Sequence, residues 1–178
     1  MPALLALLLV AATPTGKFLD LREGTLSYTV VHRLHEVRGV SRQVEGRALA
    51  QPDGTVRVQV RAKVASFDSG NSNRDEHLRE ATHGVAHPYA SVKGTMRRLV
   101  LPLAAPAEST LHAVVELNGR KQAVDVPVRL KPEGRSVRAT FSFPISLEAF
   151  KVDRPQLLLV KVDDRVVIKG DLLFRTAK

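Results

Sequence analysis

The sequence contains no cysteine and no tryptophan, and aromatic residues make up only 4% of it. Without cysteine there is no disulfide scaffold, no thiol nucleophile and no thiolate ligand for zinc or an iron–sulfur cluster. No apolar run approaches the roughly 20 residues that a membrane-spanning helix needs. There is no Gly-x-Gly-x-x-Gly and no Walker-type phosphate loop. No nucleophile elbow of the form Gly-x-Ser-x-Gly surrounds Ser66, Ser69, Ser72 or Ser91. Basic stretches interleaved with aromatics, and basic helices, are missing too, so nucleic acid is not an expected partner. These absences point away from an enzyme and from any cofactor.

What is present fits one domain: 178 residues, 44% hydrophobic and 25% charged, enough to enclose a core. The net charge of +9 favours an acidic partner, such as an anionic lipid surface. Met1 to Ala12 read MPALLALLLVAA, a charge-free apolar run of the kind found in secretory signals. Val10 and Ala12 offer small residues for a cleavage site, and Pro14 and Gly16 end the run. Residues 1–16 are therefore expected to be a signal peptide and 17–178 the folded domain. An exported chain without cysteine is expected in a bacterial periplasm.

From Thr25 onward the apolar residues recur with period two, the spacing of a strand with one dry face. Leu26, Tyr28, Val30, His32 and Leu34 share one face. Val56, Val58, Val60, Ala62 and Val64 alternate with Arg57, Gln59, Arg61 and Lys63. Leu111, Ala113, Val115 and Leu117 form another such face, followed by Val124, Val126, Val128 and Leu130. Val137, Ala139, Phe141 and Phe143 come next, and Val166, Ile168, Gly170, Leu172 and Phe174 close the series. Pro52-Asp53-Gly54, Asn118-Gly119 and Pro132-Glu133-Gly134 supply turns, Asn118-Gly119 being the strongest hairpin signal.

The pattern predicts an all-β domain, a single antiparallel up-and-down sheet of about eight strands. One segment, Asn73 to Ala81, looks helical, and one short helix does not cover eight strands. Closing the sheet into a barrel covers the dry face and removes both edges. A barrel of this size is either filled by its own side chains or wide enough for one small ligand. The inward set is rich in Val, Ala and Leu, which favours a space lined by hydrocarbon. Its candidate lining residues are Leu26, Tyr28, Val30 and His32; Val56, Val58 and Val60; Leu111, Ala113 and Val115. The rings of Phe67, Phe141 and Phe143 belong to the same set and, with Tyr28, decide whether the lumen is open or plugged.

The connection over 71–88 carries the densest polar chemistry. Arg74, Asp75, Glu76 and His77 are consecutive, and neighbours on a helix point in different directions. A structural role is expected instead: Asn71 or Asn73 caps the helix, and Arg74 or Asp75 pins it over one barrel end. Gly70 stands where the chain needs a backbone angle other residues avoid. His77, His83 and His87 form a loose cluster; convergence on one point would favour catalysis. His32 and His35, three apart on one expected strand, are placed on opposite faces. No metal site is expected, since none of these spacings is that of a zinc centre. The basic excess falls on outward positions, including Arg57, Arg61, Lys63, Arg129, Arg138 and Lys169. Arg97-Arg98 and Arg120-Lys121 are the tightest basic clusters, and either could meet a ligand phosphate near the barrel mouth.

FDSGNSNRDEHLRE (Phe67 to Glu80) followed by HPYASVKG (His87 to Gly94) resembles the central signature of the YceI-like family. The residues that carry it are Gly70, Asn71, Arg74, Asp75, His77 and Leu78. Leu26 to Ala48, Leu117 to Leu130, Ser142 to Pro155 and Asp163 to Phe174 are similar to other parts of the family pattern. Asn118-Gly119-Arg120-Lys121 and Glu148-Ala149-Phe150 depart from it. The resemblance implies a lipocalin-like barrel exported to the periplasm. Its ligand would be an isoprenoid or other long-chain lipid, such as a polyprenyl phosphate or a quinone tail, held in an apolar tunnel. It also implies a homodimer. The competing reading is a solid barrel whose basic surface binds an acidic partner or an anionic lipid surface.

Overall fold

The computed structural model describes residues 16–32, 35–154, 156–157 and 160–177, with only the backbone at 32, 35, 156, 157, 160 and 161. The leading apolar run, its cleavage site and Leu34 lie outside the described residues, as does the side chain of His32. The strands are β1 (Lys17–His32), β2 (His35–Ser41), β3 (Val44–Ala50), β4 (Val56–Lys63), β5 (Tyr89–Met96) and β6 (Ala107–Leu117). They continue with β7 (Arg120–Glu133), β8 (Ser136–Ser146), the two-residue pair β9 (Gln156–Leu157) and β10 (Val160–Lys161), and β11 (Arg165–Thr176). Helix α1 (Ser72–Ala81) follows a single 3-10 turn at Val64–Ser66.

β3 to β8 pair antiparallel in chain order, β11 joins β8 and returns to pair with β1, and β9 and β10 pair with each other as a separate ribbon. β2 and β3 lie end to end along β1, β3 against Lys17–Asp20 and β2 against Leu26–His32. They act as one strand bent at Arg42-Gln43, so the sheet closes as an eight-strand barrel. The bend is fixed by the fully buried Ser41, whose hydroxyl lies 2.7 Å from that of Ser66 and accepts from the Gln43 amide at 3.1 Å.

β1 starts at Lys17, not at Thr25 where the alternation becomes legible. A bulge at Arg22 shifts the register with β11 between Leu21 and Glu23. The extra residue reverses the phase: Leu19 and Leu21 pack on the core before it, Leu26, Tyr28 and Val30 after it. His32 and His35 do not share a strand, as the spacing had suggested. They sit directly opposite one another across the β1–β2 hairpin.

β4 shows the clean alternation, with Val56, Val60 and Ala62 buried and Arg57, Arg61 and Lys63 exposed. Asn118 and Gly119 have φ of 50° and 66°, the left-handed pair that matches strand twist in a two-residue hairpin. Outside, several cations already have partners: Arg61 with Glu45, Arg129 with Glu108, and Arg138 with Glu133, Asp171 and Glu23. The last network raises the Arg138 pKa further, chiefly through its hydrogen bond to Glu133.

The two barrel ends differ. At one, α1, the Asn118-Gly119 turn and residues 147–154 come together. At the other lie the 51–55 and 133–136 turns, the start of β1 and the 97–106 connection. There Leu99 is buried, its amide bonded to the Gly54 carbonyl at 2.9 Å, and Leu101 and Leu103 pack on the core. This connection floors the barrel.

Candidate functional site: an apolar lumen

The barrel encloses a cavity of about 390 Å³, in the range of small-molecule sites. Its wall is hydrocarbon from every strand of the barrel, and Met96, Leu99 and Leu101 line its floor. Apart from Ser27, its polar lining groups belong to the helix end: Tyr28, Arg74, His77, Thr82, Ser91 and Asp153.

Two glycines keep the bore open. Tyr28 stands directly opposite Gly39, and Phe141 directly opposite Gly170. A Cβ on either glycine would fall inside the facing ring. Each ring therefore lies flat on bare backbone, the cross-strand arrangement in which an aromatic covers a glycine. The largest inward side chains are laid against the wall instead of across the lumen. Phe67 tilts against Tyr28 with ring centroids 5.7 Å apart, and Phe143 against Phe141 at 6.1 Å. Burial pushes the Tyr28 phenol above its ordinary pKa, and the nearby Asp75 carboxylate adds to this.

Most of the lining expected from the sequence borders this cavity: Leu26, Tyr28 and Val30 from β1, Val56, Val58 and Val60 from β4. Leu111 and Val115, with Phe67, Phe141 and Phe143, do the same. Ala113 is buried in the core but does not reach the cavity. Its methyl is the shortest side chain on that face of β6, between Leu111 and Val115.

α1 begins one residue earlier than its sequence pattern indicates, with Asn71 rather than Asn73 as the cap. Asn71 Oδ1 accepts from the Arg74 amide at 3.1 Å. Gly70 has φ of 74°, as its position required, and the Asp75 carboxylate accepts from the Ser69 amide at 3.0 Å. Arg74, His77, Leu78 and Ala81 all line the cavity. Their i, i+3, i+4, i+7 spacing is one helix face, a signal that the run of four consecutive polar residues masks. Asp75 and Glu76 point elsewhere; Glu76 pairs with Arg79. Arg74 donates to the Ser69 carbonyl at 2.9 Å and to its hydroxyl at 3.3 Å. Among the described residues it has no ion pair.

The three histidines do not converge. His77 faces the cavity mouth, whereas His83 Nδ1 donates to Asn118 Oδ1 at 2.9 Å and the His87 ring covers Gly119. Asn118 is buried and also donates to the carbonyls of Phe150 and Lys151 at 3.1 and 2.8 Å. Two histidines thus serve a clamp between the 82–88 loop, the β6–β7 turn and residues 147–151. Among the described residues no group of three His, Asp or Glu gathers as for a metal. Neither basic cluster lines the cavity. Arg97-Arg98 lies on the floor end, away from the mouth, and Arg120 and Lys121 begin β7 on its exposed side.

A family model described as YceI-like domain matches residues 19–174. No curated protein matches the chain. Among solved structures, BcnA of Burkholderia cenocepacia is similar with a TM-score of 0.71 at 19% identity, covering 84% of this chain and 95% of that one. A polyisoprenoid binding domain from Saccharophagus degradans, implicated in plant cell wall breakdown, has a TM-score of 0.71 at 11% identity, covering 89% and 98%. The Campylobacter jejuni YCEI protein reaches 0.62 at 14% identity, covering 83% and 89%. At these identities the likeness is one of fold.

Proposed function

The chain belongs to the YceI-like family, and from that premise we propose that it binds an isoprenoid-type lipid in its lumen and stores or carries it without chemical change. The observation that carries the reading is the open bore, with Tyr28 and Phe141 parked over Gly39 and Gly170. Each methylene moved from water into such a bore contributes about 0.8 kcal/mol, so a few isoprene units suffice for tight binding. The polyisoprenoid-binding neighbour supports the ligand class.

The ligand lies with its tail toward Leu99 and Leu101 and its polar head among Arg74, His77 and Asp153. Arg74, bonded only to neutral Ser69 among the described residues, has donors to spare for a head-group oxygen. That mouth holds polar positions suited to recognition of a head group. The setting we assign is the periplasm, with the leading apolar run as export signal. The second partner is an anionic membrane surface, met by the net charge of +9.

Ala48 lines the cavity from β3, and Ala48→Phe adds a ring to the free space. This variant is expected to lose at least tenfold in affinity for a polyprenyl phosphate by isothermal titration calorimetry while keeping its β circular dichroism. Unchanged affinity in a folded Ala48→Phe protein would place the lipid somewhere other than the lumen.

A further inference from the structure

The barrel carries its charge unevenly along its axis. The floor end presents Arg97 and Arg98 from the 97–106 connection, with Arg57 on the adjoining strand end. Lys131 and Arg135 flank the β7–β8 turn, and Lys17 and Arg175 stand at the ends of β1 and β11. Against these stand Asp20, which lies on β1 opposite Arg175 and is bonded to Arg47; Asp53, facing Arg57; Glu108, paired with Arg129; and Glu133, already bonded to Arg138. Among the described residues Arg97, Arg98, Lys131, Arg135 and Arg175 have no ion pair. The helix end is close to balanced: Asp68, Asp75, Glu76 and Glu80 with Glu148, Asp153, Asp163 and Asp164 stand against Arg74, Arg79, Arg120, Lys121, Lys151, Arg154 and Arg165.

The same connection alternates in and out. Leu99 and Leu101 turn into the floor of the lumen, while Val100 between them stands 78% exposed, two residues after Arg98. An exposed apolar residue that follows two arginines without ion pairs is the composition of a segment that seats at a lipid headgroup boundary. The arginines meet phosphates, and the valine enters the acyl edge.

We propose that the floor end, through Arg97, Arg98 and Val100, is the face that docks on an anionic phospholipid leaflet, leaving the helix-end mouth turned away from it. This rests on the membrane surface assigned above and adds which face meets it. It is independent of what fills the lumen.

Each basic residue near an anionic surface contributes about fivefold in partitioning. Co-sedimentation of the full chain with phosphatidylglycerol/phosphatidylcholine vesicles at low salt tests the face. R97Q/R98Q should weaken binding by about 25-fold, and R120Q/K121Q at the helix end by less than threefold. Because the chain has no tryptophan, V100W and V85W give single reporters at the two ends; Val85 is likewise exposed. V100W emission should shift to the blue on anionic vesicles and stay unshifted on phosphatidylcholine alone, while V85W stays unshifted on both. A shift in V85W, or a larger loss in R120Q/K121Q than in R97Q/R98Q, overturns the assignment of the face alone. Failure of the wild-type chain to bind anionic vesicles at all overturns the membrane partner with it.

Discussion

Gly170 fixes where Phe141 lies, because the ring occupies the volume a side chain at that position would need. Gly170→Ala should push the ring off the wall, costing about 1–3 kcal/mol through strain of the overpacked site. It should also reduce lipid uptake, since the displaced ring enters the bore. Urea denaturation gives the first effect and ligand titration the second; a fully stable variant with unchanged uptake would mean the ring has room elsewhere. The strand pattern places Gly170 on the inward face, so its location was legible in the sequence. Its partner was not, because register between β8 and β11 depends on the closed sheet and not on either strand alone. For the same reason Phe141 and Tyr28 were legible as inward rings but not as rings held to the wall.

At the scale of elements, Asn118-Gly119 shows how far local chemistry reaches. The dipeptide announces a hairpin, and both φ values agree. That the Asn118 amide also binds His83, Phe150 and Lys151 was beyond the sequence, since the partners lie 32 to 35 residues away. Asn118→Ala leaves the His83 donor and two carbonyls without their partner and puts alanine at positive φ. The expected cost is about 1–3 kcal/mol, with faster amide exchange in both 82–88 and 147–152. Exchange confined to the β6–β7 turn would show that the clamp adds nothing beyond its own hairpin. β1 teaches the converse: one bulged residue at Arg22 breaks the alternation, so its first half was hidden although Leu19 and Leu21 are inward. The α1 face was visible in principle, for Arg74, His77, Leu78 and Ala81 have helical spacing. What the spacing lacked was the direction in which that face looks.

For the whole molecule, closure is the decisive property. A meander of half-apolar strands with one short helix has no other way to cover its dry side; pairing of β11 with β1 closes the barrel, and the outer edge of β2 meets the chain before α1 through the Val40–Asp68 bridge. Eight strands and small inward residues then give a bore whose filling depends on a few rings. Fold and inward face were therefore readable in the sequence, whereas the floor at Leu99 and Leu101 was not. That connection has no period, and its two inward leucines gain meaning only beneath a closed barrel. The same closure separates the two ends and allows them different tasks, a polar mouth by α1 and a basic floor.

The lumen is the centre of the account, and the most direct measurement is mass spectrometry of an organic-solvent extract of the purified chain, before and after incubation with a polyprenyl phosphate. A long-chain isoprenoid lipid near one per protein, present on isolation or taken up on incubation, is the predicted result. A protein that emerges empty and stays empty in the presence of the lipid would contradict it.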